Sequence, residues 1–359
     1  MTQKLKTSMQ IAGRAIGPEH PPYVIAELSA NHNGCLDTAL RIIDVAKEAG
    51  AAAVKLQTYR PDTITLDSRG PDFLIHGGLW DGKSLYELYQ WAYMPWDWHK
   101  PLFEHARRRD ITIFSSPFDS TAVDLLEDLN APAYKIASFE AVDLPLIRYA
   151  ASTKKPLVIS TGMASRDEIG EAIEAARSAG CRELAILHCV SGYPALAEHY
   201  NLHTIRDMID HFGVVVGLSD HTIDNTTAIA SVALGASIIE KHVTLDRNGG
   251  GPDDSFSLEP DGLLALATEA RRCWNAMGKV TYQVQESEAP NQKFRRSLYI
   301  VKPVAAGEKF APENVRSIRP GYGLAPKHYD ALIGQTAPRD FAAGEPVPRD
   351  ILAADMATR

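Results

Sequence analysis

The chemistry-bearing residues of this chain gather at the ends of short apolar runs. Glu27, Lys55, Gln57, Ser115, Ser116, Lys135, Ser138, Ser160, Thr161, His188, Ser219, Asp220, His221, Glu240 and His242 each stand at or just past the polar end of such a run. Alternation along an extended strand places Lys55 with Gln57, Ser219 with His221, and Glu240 with His242 on common faces. Lys55 and Lys135 supply ammonium groups, while Ser138, Ser160 and Ser219 supply short hydroxyl donors. That combination suits a phosphate or carboxylate held by charge-assisted hydrogen bonds. A buried ion pair with Glu140 or Asp143 is the competing role for Lys135. His221 and His242 close two successive runs, and two imidazoles with water and substrate oxygens suit Mn²⁺, Fe²⁺ or Zn²⁺. Glu27 and Asp253 are carboxylates available as further ligands or as a general base.

Such residues need a scaffold that brings distant strand ends together. The runs are YVIAEL (23–28), AAVKLQ (52–57), ITIFSS (111–116), AYKIAS (133–138), PLVIST (156–161), LAILHC (184–189), VVVGLSD (214–220) and SIIEKHV (237–243). Between them lie segments of helical period, among them 36–50, 120–130, 165–180 and 225–236. Several open on Asp37 or Ser165 and close on Gly50, Gly180 or Gly235, the punctuation of helix ends. Strands alternating with helices in this way predict a (β/α)8 TIM barrel, whose active sites lie at the C-terminal ends of the strands. A doubly wound open sheet is the alternative, but no GxGxxG follows the first run.

Residues 58–98 interrupt the pattern with an excursion rich in Gly, Trp and Tyr. An excursion of this length after a strand points to a role at the site, with a satellite helix packed by its aromatics as the structural alternative. The NHNG turn, Asn31 to Gly34, has the chemistry of a tight loop over a site or of a plain structural turn. Residues 1–278 are thus expected to form the barrel and 279–297 a polar linker. Residues 298–359, with Gly and Pro every few positions, are expected to form a β-rich module too small to stand comfortably alone.

Composition narrows the partners. The chain is 45% apolar and 23% charged, with net charge −8 and no basic stripe, which argues against nucleic acid or an anionic membrane as partner. Cys35, Cys181, Cys189 and Cys273 show no CxxC spacing, which fits a reducing compartment. The N-terminal residues lack the apolar stretch of a signal peptide, and no run is long enough for a membrane helix. The expected location is cytoplasmic.

AELSANHNG, KLQTYRPDTITL, SSPFD, AYKIASFE, STGMAS, GLSDH and IEKHVTLDR resemble, in the same order and spacing, the sialic acid synthase family. The tail, with VRSIRPGYGL, resembles that family's C-terminal SAF (antifreeze-like, β-clip) domain. The insertion DFLIHGGLWDGKSLYELYQWAYMPWDWH is most similar to the family's pseudaminic acid branch. The resemblance implies a transferase that joins C3 of phosphoenolpyruvate to the aldehyde carbon of an open-chain N-acetylated amino sugar, releasing phosphate. For that branch the sugar is 2,4-diacetamido-2,4,6-trideoxy-altrose. The resemblance also implies a divalent cation on His221 and His242, Mn²⁺ first and Mg²⁺ or Co²⁺ next. It places Lys55, Ser116, Lys135, Ser138, Ser160 and Ser219 around phosphoenolpyruvate, and Glu27 beside the water that attacks C2. Gln57, Phe118, Glu140, Ser191, Tyr193 and Asp253 fall among the substrate-lining positions. Arg319 matches an arginine that the SAF domain inserts into the partner subunit's site, which implies a domain-swapped homodimer.

Two positions depart from the neuraminate pattern. HCVSGYP carries Ser191 where those synthases commonly carry Asn, and Arg295 stands where an aromatic often precedes the SAF domain. Both lie on the sugar side, so they count against N-acetylmannosamine. Neuraminate and legionaminate synthesis remain alternatives. More remote ones are a Schiff-base aldolase using Lys135 or Lys55, and a sugar-binding protein without activity.

Overall fold

The computed structural model describes residues 8–352; residues 1–7 and the last seven residues of the expected SAF module, 353–359, lie outside the described residues. The chain divides into two compact units between Gly278 and Lys279.

The first unit is a closed barrel of eight parallel strands, entered through a small antiparallel hairpin of β1 (Met9–Ile11) and β2 (Arg14–Ile16). The barrel strands are β3 (Tyr23–Glu27), β4 (Ala53–Thr58), β5 (Thr112–Pro117), β6 (Tyr134–Ile136), β7 (Leu157–Ser160), β8 (Leu184–Cys189), β9 (Val215–Asp220) and β10 (Ile238–His242), with β10 closing onto β3. Each coincides with one of the eight apolar runs, because strands covered on both sides carry little polar surface until they emerge. The helices that follow pack outside. Arg166–Ser178, for example, starts on a Ser165 hydroxyl that accepts from the Glu168 N–H at 3.3 Å, while Glu168 accepts back from the Ser165 N–H at 2.7 Å.

Inside the barrel the strands are apolar at their starts. Tyr23, Ile25, Phe114, Val158, Leu187, Val215 and Ile238 form one cluster, which Met9, Ile11 and Ile16 of the hairpin join. Gly217 lies within this layer, where a Cβ would meet the Ile238 carbonyl at 2.5 Å and Leu187 Cδ2 at 2.6 Å, so only glycine fits. A second and larger core fills the space between strands and helices. No helix among the described residues is long and apolar enough to cross a membrane.

The excursion after β4 has structure of its own. It holds a short helix Pro61–Ile64, a turn closed by the Ile75 N–H on the Lys83 carbonyl at 2.9 Å, and the helix Leu85–Ala92. Ser84 caps that last helix reciprocally with Glu87.

The second unit is built on the antiparallel pair β11 (Ser297–Ile300) and β12 (Val315–Ile318), with single bridges at Val304–Phe341 and Lys309–Thr336. Leu298, Ile300, Phe310, Val315, Leu332, Phe341 and Val347 make its core. Within the stretch read as linker, Glu286–Phe294 forms an exposed 3₁₀ segment, begun where Glu288 accepts from the Gln285 N–H at 2.9 Å.

Candidate active site

Following the inward-facing residues of each strand upward, the apolar layer gives way to buried charge. Glu27, Lys55, Lys135 and Glu240 are at most 5% exposed. Parallel register sets Glu27 level with Lys55 on one side and His242 on the other, and sets Glu240 level with Ser219. The four charges make one alternating chain. Lys55 Nζ lies 2.8 Å from Glu27 Oε2 and 3.3 Å from Glu240 Oε1, and Lys135 Nζ lies 3.5 Å from the same Glu240 oxygen. Lys135 therefore pairs with Glu240, not with Glu140 or Asp143, the partners of its competing role. Glu140 and Asp143 follow β6 in chain order, whereas Glu240 arrives from a strand that only barrel closure brings near.

Hydroxyls and an amide complete the lysine environment. Lys135 Nζ donates to Ser160 Oγ at 2.7 Å, and Lys55 Nζ donates to Ser116 Oγ at 3.2 Å. Gln57 Nε2 donates to Glu27 Oε1 and to Ser29 Oγ, both at 3.0 Å. Burial pushes the Glu27 carboxyl above its ordinary range, opposed by the Lys55 ammonium and reinforced by Glu240. Burial acts on Glu240 in the same direction, but Lys135 and Lys55 outweigh it and hold that carboxyl low. Burial draws the Lys135 ammonium down.

The two histidines meet at the top of β9 and β10, with ring centroids 5.4 Å apart. His221 Nδ1 donates to the Val190 carbonyl at 2.7 Å. Burial draws its pKa down, but the hydrogen bond and charge of Cys189 outweigh burial and hold the imidazole above its ordinary value, so it must shed a proton before it can ligate. His242 Nδ1 is buried without a hydrogen-bond partner among the described residues, 3.9 Å from Asp253 Oδ2. Burial, then the positive neighbours His221 and Lys55, hold His242 well below its ordinary pKa, so it stays neutral and able to ligate. No group of three or more His, Cys, Asp or Glu side chains able to hold a metal is present among the described residues. An unpartnered, neutral imidazole facing a second one nevertheless fits a divalent cation with two protein ligands, its other positions open to water and substrate oxygens.

Above the histidines opens a cavity of about 310 Å³. Gln57, Phe118, Ser138, Glu140, Ser191, Tyr193, His242 and Asp253 line it. Tyr193 packs on His221 at 4.4 Å between ring centroids. Ser191 donates to Ser138 Oγ at 2.8 Å, and Gly162 runs beside that pair, where a Cβ would meet Ser138 Cβ at 2.6 Å. Ser29, in the left-handed region at φ 49°, aims its hydroxyl at Asp253. Burial raises Glu140 to about 7 and also raises Asp253.

Not every polar strand end faces this cavity. Ser115 and Thr58 share a hydrogen bond at 2.6 Å and reach His99 on the helix Trp96–Arg108, while Asp220 pairs with Lys241 at 2.6 Å. His188 reaches the Tyr200 carbonyl at 2.5 Å and Thr161 that of Leu187 at 3.1 Å, so these side chains brace the barrel wall. The NHNG turn is a brace too, since Asn31 Nδ2 donates to the Val243 carbonyl at 2.9 Å and Asn33 Nδ2 to Asp254 at 2.8 Å. Arg319 belongs to the second unit, exposed just after β12.

Glu240, picked out in the sequence only by its alternation with His242, proves to be the shared anion of the two lysines. Tyr59, Ile64, Trp80, Leu88 and Tyr89 of the excursion line the cavity without a signal in the sequence, since no period there marks which face is inward.

Residues 42–282 match the NeuB family and residues 295–352 the SAF domain. The chain is 43% identical over 331 residues to the pseudaminic acid synthase of Helicobacter pylori, covering 92% of this chain and 97% of that protein. It is 44% identical over 323 residues to the pseudaminic acid synthase of Campylobacter jejuni, covering 90% and 94%. Among solved structures, an N-acetylneuraminic acid synthetase from Leptospira borgpetersenii in complex with citrate aligns at a TM-score of 0.71 and 30% identity, covering 79% of this chain and 94% of that one. Matched through its barrel and again through its tail, the chain belongs to the NeuB family and ends in a SAF domain.

Proposed function

We propose that this protein is a pseudaminic acid synthase, condensing phosphoenolpyruvate with 2,4-diacetamido-2,4,6-trideoxy-altrose. C3 of phosphoenolpyruvate bonds to the sugar's aldehyde carbon, water adds at C2, and phosphate leaves by C–O cleavage. The observation that carries the reading is the buried Lys55–Glu240–Lys135 array directly beneath a histidine pair and a sugar-sized cavity. Two ammonium groups with Ser116, Ser138, Ser160 and Ser219 nearby suit the phosphate and carboxylate of one small anion.

Each residue then has a task its surroundings support. Lys55 and Lys135 neutralise the bound anion and fix its orientation. Glu27, whose carboxyl burial has raised, takes the proton from the water that adds to C2, and Gln57 keeps that carboxylate aimed. Phe118, Glu140, Ser191, Tyr193 and Asp253 line the sugar, and His221 and His242 would hold the cation. The chemistry a divalent metal supplies there, Mn²⁺ first and Mg²⁺ or Co²⁺ next, is polarisation of the sugar aldehyde. Arg319 acts in the partner subunit of a domain-swapped homodimer. The thiols of Cys35, Cys189 and Cys273 are free, which is in keeping with a cytoplasmic location.

The test is phosphate release from phosphoenolpyruvate with Mn²⁺. The diacetamido-trideoxy sugar should support release and N-acetylmannosamine should not, with activity lost in EDTA. Preference for another amino sugar would change the product assigned. Release insensitive to EDTA would remove the metal, and no release with either sugar would overturn the reading.

A further inference from the structure

The excursion after β4 carries many charges, among them Arg60, Asp62, Arg69, Asp81, Lys83 and Glu87, yet none of them lines the cavity. What it sends inward is apolar or aromatic: Tyr59, Ile64, Trp80, Leu88 and Tyr89. Tyr59 joins Tyr89 and Phe118 at centroid distances of 5.7 and 5.2 Å, so this surface is continuous with the end of β5. Trp80 lies 6.0 Å from Tyr193, the ring that packs on His221. Its Nε1 donates to the Pro252 carbonyl at 3.1 Å, so the indole is fixed by the residue next to Asp253 and turns carbon surface to the cavity. Apart from the Tyr59 and Tyr89 hydroxyls, the polar groups of the cavity come from strand ends and from the loops after β6, β8 and β10.

We infer that Trp80 and its excursion neighbours form an apolar subsite that selects the amino sugar by its methyl groups. The inference rests on the synthase reading and deepens it. A 2,4-diacetamido-2,4,6-trideoxy sugar presents three methyls, two on acetyl groups and one at C6. A hydroxyl set against the carbon surface of Trp80, Ile64 and Leu88 loses its water without gaining a partner, whereas a methyl gains apolar contact. The excursion thus reads C6 and the acetyl groups, while Gln57, Glu140 and Asp253 address the polar positions.

The experiment compares the diacetamido-trideoxy sugar with its 6-hydroxy counterpart, following phosphate release at saturating phosphoenolpyruvate and Mn²⁺. Wild-type protein should favour the 6-deoxy sugar by about 10- to 100-fold in kcat/KM. Trp80→Gln should bring the ratio to within about threefold while leaving KM for phosphoenolpyruvate unchanged. Trp80→Leu, which restores apolar surface, should recover most of the discrimination. A wild-type ratio near one, or a Trp80→Gln ratio equal to the wild type's, overturns the subsite while phosphate release keeps the synthase reading standing. Should Trp80→Gln be inactive, Trp80→Leu decides: a retained ratio supports the subsite and a lost one overturns it. No release from wild type with either sugar overturns the synthase reading and the subsite with it.

Discussion

The two ends of the same eight strands are built on opposite principles. At the lower end Tyr23, Phe114, Val158, Val215 and Ile238 pack with the hairpin residues Met9, Ile11 and Ile16, and the Tyr23 hydroxyl is the one polar side-chain group among them. At the upper end, a few residues along, Glu27, Lys55, Lys135 and Glu240 are equally buried, and each depends on the others for its charge state. Apolar packing is non-directional and tolerant, so it fixes the barrel's geometry cheaply. Buried ions stabilise little after desolvation and are costly when broken, so their presence marks function. The polar end even leaves the Glu240 Oε2 and His242 Nδ1 atoms without hydrogen-bond partners among the described residues. The lower end holds the fold, and the upper end is held by it.

The strongest way to break this contrast is at the histidines. His242→Ala or His221→Ala should reduce turnover by roughly 10³-fold or more, since both the ligand and the charge balance are lost. The melting temperature should fall by only a few degrees, because the lower core is untouched. Steady-state phosphate release with thermal melts checks this, and a variant that keeps full activity would dissolve the metal assignment.

A sharper test pairs one substitution from each end. Ile238→Ala opens a cavity in the lowest layer and should cost about 2–5 kcal/mol, with kcat/KM for the folded enzyme little changed. Glu240→Gln removes the anion shared by Lys55 and Lys135 and should cost about 3–5 kcal/mol, because buried Lys135 loses its paired carboxylate and Lys55 keeps only Glu27. It should also shift KM for phosphoenolpyruvate by about tenfold, through misplaced lysines. Denaturant unfolding with kinetics separates the two. Equal kinetic effects from both variants would mean that the ends are not independent.

How much of this was legible follows from the same contrast. The strands were readable because burial on both faces makes each an unbroken apolar run, and the polar ends announced where the site lies. Lys55, Lys135, His221 and His242 could be picked out by residue type alone. The partner of Lys135 could not: sequence proximity offers only Glu140 and Asp143 as candidates, and closure of the barrel supplies Glu240 instead. Trp80 was hidden for another reason. An irregular excursion has no period, so nothing in its order separates the inward Trp80 from the exposed Trp91.

The smallest predicted effect concerns two histidines at the upper end that do not line the cavity. His32 and His99 are almost fully buried, and burial lowers each from an ordinary 6.5 to about 4. The unfolded chain takes up their protons near pH 6.5 while the folded chain refuses them until about 4. Their contribution to stability is therefore complete above pH 6.5 and falls as pH drops toward 4, by up to about 1.4 kcal/mol per pH unit for each. Glu140 runs the other way, because its carboxyl, raised to about 7, binds a proton more readily when folded and so favours folding as pH falls from 7. The wild-type curve sums these opposing slopes, so a difference measurement is needed. His99→Gln keeps an amide near the 2.7 Å bond from Nε2 to Thr58 and removes the titrating ring. Between pH 7 and pH 5 the variant should lose about 2 kcal/mol less stability than wild type, read from urea unfolding at each pH. Parallel curves would show that His99 takes up its proton in the folded chain, and that this part of the upper end is more open to water than its burial indicates.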